Sequence, residues 1–193
     1  MRVDVDAFDA LYRGTDDPWS FATSDYELSR YRSVIEHLSR DRYERCFEPG
    51  CSIGVLTRML AERVADVVAC ETSPAAIAAA ATRTVDLPQV DLHLATIPEW
   101  WPEGAFDLIV LSEIGYYWDR EGLDGVLDRV LSSVDPTGCD LLAVHWTGHS
   151  EDHLLAGDEV HEVIARRFGE PEVSTRRIGE GQQGYVLERW SVT

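Results

Sequence analysis

The sequence contains no lysine, so all 17 of its basic residues are arginines, set against 35 acidic residues. The resulting net charge of −18 repels phosphate backbones and anionic lipids, which makes a nucleic acid or a membrane surface an unfavourable partner. No apolar run approaches the ~20 residues that a membrane-spanning helix needs, and the first residues lack the apolar stretch of a signal peptide. We therefore expect a cytoplasmic protein whose partners are neutral or cationic.

Cysteine is also scarce, because the four cysteines form no C-x-x-C pair and lie in or beside predicted strands. This distribution is typical of reduced, buried thiols rather than of a disulfide framework. The chain has 193 residues, 45% of them apolar, which suits one globular domain with a full core. No internal repeat or linker indicates a second domain.

Strand and helix patterns alternate along most of the chain. The strand candidates are Arg45–Glu48, Val67–Glu71, Val90–Leu94, Phe106–Ser112, Leu141–Trp146, Glu172–Arg177 and Tyr185–Val192, and the helix candidates lie near 54–64, 74–83, 121–134 and 157–168. This alternation predicts an α/β protein with a mostly parallel sheet covered by helices. The last two strands follow each other across Gly179-Glu180-Gly181 without a helix, which predicts an antiparallel C-terminal hairpin.

Ser24 and Glu27 form an S-x-x-E capping box, which predicts the start of a further helix. Apolar residues follow at spacings of three and four, namely Leu28, Tyr31, Ile35 and Leu38. The segment before this helix is interpreted as an arm rather than as core. We therefore expect a capping arm over residues 1–23 and a single domain over residues 24–193.

A glycine-rich turn over Glu48–Gly54 joins the first predicted strand to a helix. Such a turn lets a ligand approach bare backbone N–H groups at the start of the helix. A dinucleotide pattern, G-x-G-x-x-G from Gly50, would need glycine at positions 52 and 55, where the chain has serine and valine. The pattern acidic-x-Gly-x-Gly-x-Gly deviates only at Ser52. It resembles the nucleotide turn of class I S-adenosylmethionine (SAM) methyltransferases.

Two further positions carry this resemblance. Glu71 ends the second predicted strand 21 positions after Gly50, where a carboxylate can accept two hydrogen bonds from a ribose diol. Phe106-Asp107 followed by aliphatic residues is similar to the fourth strand of that family, whose end contacts the methionine part of SAM. The family usually places an acid after the third strand, where this chain has Thr96. The resemblance implies a single-domain Rossmann-like α/β fold with a seven-stranded, mostly parallel sheet.

The resemblance also implies SAM as cofactor, S-adenosylhomocysteine (SAH) as product, and a set of contacts to them. Tyr26 and Arg30 lie one helical turn apart, so both can face the carboxylate and sulfur end of the cofactor. The residues expected to bind SAM are Tyr26, Arg30, Glu48, Gly50, Cys51, Ser52, Gly54, Glu71, Thr72, Thr96, Ile97, Ser112 and Glu113.

A narrower resemblance is carried by other segments of the chain. They are Asp17-Pro18-Trp19, Ser24-x-Tyr26-Glu27-x-x-Arg30-Tyr31, His145-Trp146 and Gly157-Asp158-Glu159-Val160-His161-Glu162. They look like the methyltransferases related to the nodulation protein NodS, and the similarity spans most of the chain. This implies a small-molecule or oligosaccharide acceptor, because NodS methylates the free amine of a deacetylated chitooligosaccharide. Aromatic residues could stack on a sugar face, and those expected at the acceptor are Trp19, Tyr116, Tyr117 and Trp146, with Tyr26 and Trp118 as further candidates.

The proton chemistry depends on the acceptor. An amine needs only to be neutral, whereas a sugar hydroxyl needs a base, for which His145 is the first choice and Glu113 the second. The alternative to a catalytic role for His145 is a structural one, as a hydrogen-bonded histidine near the edge of the core. His145, His149 and His153 recur every fourth residue, so a divalent metal is a further possibility, although Thr147-Gly148 would interrupt a helix that presented them together.

The sequence thus predicts a SAM-dependent methyltransferase that acts on a hydroxyl or amine of a small, saccharide-like acceptor, without a required metal. Two alternatives stay open at this point. One is an O-methyltransferase of an unrelated natural product, and the other is a non-catalytic SAM-binding module. The oligomeric state is not predicted.

Overall fold

The computed structural model describes residues 5–15, 17–178 and 184–193. The chain divides into two compact units, one ending at Pro102 and one beginning at Glu103. Each unit contains parallel strands joined by helices, and the sheet has seven strands. In the described part of the chain, no helix is both long and apolar enough to cross a membrane.

The N-terminal unit begins with two helices and continues as alternating strands and helices. Its elements are α1 (Val5–Gly14), α2 (Asp25–Glu36), β1 (Tyr43–Pro49), α3 (Val55–Leu60), β2 (Val64–Glu71), α4 (Pro74–Arg83) and β3 (Val90–Leu94). The strand order is β3-β2-β1, and the neighbouring strands run parallel. The carboxyl ends of parallel strands lie at the same edge of a sheet, so the residues that follow β1, β2 and β3 share one edge.

The C-terminal unit contains the remaining four strands. Its elements are β4 (Leu108–Ser112), a short 3-10 helix (Gly115–Tyr117), α5 (Arg120–Ser132), β5 (Cys139–Trp146), α6 (Gly157–Phe168), β6 (Val173–Arg177) and β7 (Tyr185–Val192). The strand order is β4-β5-β7-β6, with β4 and β5 parallel and β7 antiparallel to both of its neighbours. The turn residues Gly179-Glu180-Gly181, expected between β6 and β7, lie outside the described residues.

The fold class predicted from the sequence is confirmed, namely an α/β protein with a mostly parallel seven-stranded sheet and an antiparallel C-terminal hairpin. Most strand bounds differ from the predicted ones by one to three residues, and β3 and β7 match them. Helix α1 was not predicted, because its residues were interpreted as an arm. The division of the chain at residue 23 stays a prediction.

Helix α2 shows how the capping box works here. The Ser24 side chain accepts a hydrogen bond from the Glu27 amide at 3.5 Å, as the motif predicts. The Glu27 carboxylate forms an ion pair with Arg30, and the Ser24 amide donates to the Ser20 carbonyl at 2.8 Å. The acidic first turn of the helix therefore holds a buried arginine.

Candidate cofactor and acceptor sites

The turn between β1 and α3 has a strained backbone at the positions that the motif predicts. Gly50, Ser52 and Gly54 have φ values of 71°, 50° and 78°, in the left-handed region that favours glycine. A Cβ at Gly54 would lie 3.0 Å from the Cβ of Ala80, which leaves no room for a side chain. Ser52 adopts this conformation without being glycine, and its Oγ lies 2.6 Å from the Tyr12 hydroxyl of α1. Serine thus adds a contact that glycine could not make.

Three backbone N–H groups of this turn, expected from the sequence to be open to a ligand, already have acceptors within the protein. The amides of Gly50 and Cys51 both donate to the Cys70 carbonyl of β2, at 2.8 and 3.0 Å. The Ser52 amide donates to the Glu71 carboxylate at 2.9 Å. Because β2 ends directly beside the turn, its last polar groups take these donors before a ligand can.

Glu71 organises the end of β2. One carboxylate oxygen accepts the Ser52 amide, and the other accepts the amides of Thr72 and Ser73 at 2.8 and 3.0 Å. The side chain is buried, and burial raises its pKa, although the three amides act in the opposite direction. A carboxylate offers about four lone-pair sites, so acceptor capacity remains after these three bonds.

Glu48, at the end of β1, differs from Glu71. It is only 2% exposed, and within the described residues its Oε2 atom has no hydrogen-bond partner. Burial raises the pKa of Glu48 to about 8, while the neighbouring Thr57 hydroxyl acts to lower it and the charge of Glu71 acts to raise it. A buried carboxyl oxygen without a partner is costly, unless a bound ligand supplies the missing group.

The other expected cofactor contacts of the N-terminal unit fall into two groups. Arg30 is 1% exposed, with its guanidinium 5.9 Å from the ring centre of Tyr26 and 5.4 Å from that of Tyr31. At the ends of β2 and β3, the hydroxyls of Thr72 and Thr96 lie 2.7 Å apart. The chain brings these two threonines together across 24 residues, and the adjacent side chains Cys51 and Ile97 are buried.

Trp19 belongs to an aromatic cluster in the N-terminal segment. Its ring lies 5.4 to 6.1 Å from the rings of Phe8, Tyr12 and Phe21. The preceding Asp17 accepts the amides of Phe21 and Ala22 at 2.8 Å each, so Asp17-Pro18-Trp19 forms a structural turn. Trp19 is 38% exposed, which leaves part of its ring available at the surface.

In the C-terminal unit, Glu113 connects the ends of β4 and β5. Its two carboxylate oxygens accept the Trp146 amide at 2.7 Å and the Tyr116 hydroxyl at 2.8 Å. Glu113 follows Ser112 and has a φ of 58°, a strained conformation for a residue with a side chain. Trp118, a candidate for sugar stacking, is 3% exposed, so the structure makes it a core residue instead.

His145 is fully buried and lies in a chain of hydrogen bonds. Its Nε2 atom accepts the Gly115 amide at 3.0 Å, and its Nδ1 atom lies 3.1 Å from Nε2 of His161. His161 in turn lies 2.8 Å from the Glu188 carboxylate. Since both nitrogens of His145 are engaged inside the protein, this geometry argues against His145 as the general base and favours a positioning role.

His153 is the nearby residue that sequence reasoning did not select as a base. Its ring stacks on the Tyr116 ring with 3.7 Å between the ring centres. It forms edge-to-face contacts with Tyr117 and Trp146, whose ring centres lie 5.3 and 6.0 Å away. Its four-residue spacing from His149 indicated a metal ligand rather than a base. Among the described residues there is no group of three or more His, Cys, Asp or Glu side chains that could hold a metal ion.

These features define a class I methyltransferase fold, and comparison with a solved structure agrees. The crystal structure of the N-methyltransferase NodS from Bradyrhizobium japonicum WM9 in complex with SAH superimposes with a TM-score of 0.87, covering 98% of this chain and 99% of that one at 20% identity. At this level of identity, the likeness shows the shared fold.

The chain belongs to the NodS family, because the family model for nodulation protein S matches residues 8–185. Nodulation protein S of Sinorhizobium fredii is 25% identical over 169 residues, which cover 86% of this chain and 71% of that protein. A second relative is trans-aconitate 2-methyltransferase of Mycobacterium tuberculosis, 31% identical over 167 residues, or 86% of this chain and 54% of that protein.

Proposed function

We propose that this methyltransferase acts on an amine or hydroxyl of a small saccharide. The proposal is supported by a group of four side chains at the carboxyl ends of β4 and β5, where open α/β sheets bind their ligands. The group consists of Glu113, Tyr116, Trp146 and His153. Aromatic rings suit the apolar face of a sugar, and a carboxylate accepts hydrogen bonds from its hydroxyls. We assign Tyr117, on the same short helix as Tyr116, to this group, and Trp19 stays a predicted acceptor contact.

We propose that the N-terminal unit holds SAM through the residues expected from the sequence. The unpartnered oxygen of Glu48 fits a cationic ligand, because a positive group nearby favours the charged carboxylate. The remaining acceptor capacity of Glu71 suits the ribose hydroxyls, and Thr72, Thr96 and Ile97 suit the adenine side. Bound SAM supplies an electrophilic methyl group on sulfur, and the protein's share of the rate comes from positioning the acceptor.

We further assign positioning roles to groups outside the direct contacts. His145 accepts the Gly115 amide and so fixes the short helix that carries Tyr116 and Tyr117. Tyr26 and Arg30 are assigned to the carboxylate end of SAM, and Ser112 and Glu113 to its methionine part. Residues 1–23 are assigned as an arm that covers the cofactor turn, supported by the contact between Tyr12 and Ser52.

The test measures SAH release with matched acceptors. We would compare a partly deacetylated chitooligosaccharide, the same oligosaccharide fully N-acetylated, and trans-aconitate. Turnover of the deacetylated sugar alone indicates an amine acceptor, and turnover of both sugars indicates a hydroxyl. Turnover of trans-aconitate alone, or of none of the three while calorimetry shows SAH binding, contradicts a saccharide acceptor.

A further inference from the structure

The loop between β5 and α6 folds back onto the end of β4. The amides of Leu154 and Leu155 donate to the Tyr116 carbonyl at 2.8 and 3.3 Å. These bonds hold His153 against the Tyr116 ring, with their planes only 15° apart. The Tyr116 hydroxyl donates to Glu113, so Tyr116 contacts both the His153 ring and the Glu113 carboxylate of the proposed acceptor group.

His153 differs from the two buried histidines in what its nitrogens contact. In His145 and His161 both ring nitrogens lie within hydrogen-bond distance of a protein atom. Within the described residues, no hydrogen bond is formed by either ring nitrogen of His153, and the residue is half-buried rather than enclosed. Its nitrogens are therefore available to a bound molecule.

The charges around His153 come from two elements. Asp152 and His149 lie on its own loop, and Glu113 follows β4, while the rings packed against it from Tyr116, Tyr117 and Trp146 are uncharged at neutral pH. Burial lowers the pKa of His153 below its ordinary 6.5, although Asp152 and Glu113 act in the opposite direction. The imidazole is therefore neutral at pH 7 and can accept a proton.

We propose that His153 is the group that takes the proton from the acceptor, an inference that rests on the proposed function of the Glu113 site. As the acceptor's oxygen or nitrogen lone pair forms a bond to the methyl carbon, the carbon–sulfur bond breaks and its electron pair stays on sulfur. The proton lost by the acceptor goes to a ring nitrogen of His153 and then to water. No further reactant is needed for this step to balance.

The kinetic test replaces His153 while keeping the loop intact. His153→Phe preserves the ring stack without the nitrogens, and His153→Gln keeps a polar side chain. With a hydroxyl acceptor, we expect kcat/KM to fall by about 10²- to 10⁴-fold in both variants, the usual contribution of a general base. Wild-type kcat/KM of both variants with an amine, which needs only to be neutral, overturns the proposal. The control is Glu151→Gln, an exposed residue of the same loop, which should behave as wild type.

The pH profile separates a base from a structural residue. A base must be neutral, so wild-type kcat/KM should rise with pH through an inflection below 6.5 and stay level above it. The inflection should be absent from both His153 variants. A wild-type rate in His153→Phe, or an unchanged inflection in either variant, overturns the proposal.

A second readout does not depend on activity. Ring resonances of His153 in the SAH complex, assigned by their loss in His153→Phe, should titrate below pH 6.5 and shift when the active acceptor is added. Unshifted resonances at saturating acceptor contradict the proposal. If a non-sugar hydroxyl compound is the active acceptor and the variants fail with it, the saccharide is wrong but the role of His153 stands. If only a carboxylate acceptor is methylated, both proposals fail, because a carboxylate has no proton to lose.

Discussion

At the scale of single residues, the fold treats two neighbouring carboxyl groups of the N-terminal unit differently. Glu71 accepts three backbone amides, whereas one oxygen of Glu48 is buried without a partner in the described structure. Both glutamates lie at the ends of neighbouring parallel strands, so the sequence pattern alone would treat them alike. Their different surroundings lead to different predictions for stability and for binding.

Glu48 should make the unliganded protein less stable as the pH rises. Its pKa is about 8 in the folded state, so from pH 5 to pH 8 the folded protein holds a proton that the unfolded chain has lost. Stability should therefore fall by roughly 1 kcal/mol per pH unit over this window relative to Glu48→Gln, which does not titrate. Denaturant unfolding at several pH values measures the difference, which should be small near pH 4.5.

The control for this prediction is Glu44→Gln, which changes an exposed glutamate of the same strand. It should track the wild type at every pH. If the difference between wild type and Glu48→Gln stays constant from pH 5 to pH 8, Glu48 is ionised throughout and the assignment is wrong.

Glu71→Ala should weaken both the fold and SAH binding. It leaves the amides of Ser52, Thr72 and Ser73 without their acceptor, and each buried unsatisfied group costs about 1–3 kcal/mol. We expect at least a tenfold loss of SAH affinity by calorimetry, at a temperature where the variant is still folded. Glu71→Gln keeps one acceptor oxygen and should lie between the two. Unchanged affinity in Glu71→Ala would remove the residue from the cofactor site.

At the scale of elements, helix α1 is attached to the turn after β1 and to the start of α4. The carboxylate of Asp9 accepts the Ser73 hydroxyl at 2.8 Å and the Ala75 amide at 3.1 Å, at the start of α4. These bonds hold the pKa of Asp9 below its usual range. Tyr12, almost one turn later, contacts Ser52, so the helix is held at both the turn and α4.

Asp9→Ala should release α1 from α4 without disturbing the sheet. Because both bonds at the start of α4 are lost, we expect faster hydrogen exchange across Val5–Gly14 and weaker SAH binding, by severalfold. The matched control is Asp6→Ala, which removes an exposed acid from the same helix. Equal exchange rates in the two variants would show that Asp9 does not hold the helix.

Elements were predictable where their pattern is local. Alternating strand and helix patterns indicated β2, α4 and β3, and the capping box indicated α2. Helix α1 also has a helical spacing, through Val5, Phe8 and Tyr12, which could have indicated it. The attachment of α1 to α4 could not be predicted from this spacing, because the partners of Asp9 lie 64 and 66 residues further along the chain.

At the scale of the whole molecule, the net charge of −18 disfavours some classes of partner without identifying the acceptor. It makes an anionic polymer an unfavourable partner, and it is compatible with the cationic SAM and with an amino sugar. The absence of lysine has no structural explanation, since arginine supplies the ion pairs of both units, as in Arg58–Asp86 and Arg176–Asp158.

The sequence by itself determined the fold class, the turn between β1 and α3 and the NodS family, because these depend on periodicity and on short motifs with fixed spacing. Only the tertiary structure decided which polar atoms are already engaged. It placed both nitrogens of His145 in internal bonds, with Gly115 30 residues away, and left those of His153 available. It also left a buried oxygen of Glu48 without a partner among the described residues. Hydrogen-bond partners distant in sequence are set by packing, which no local pattern records.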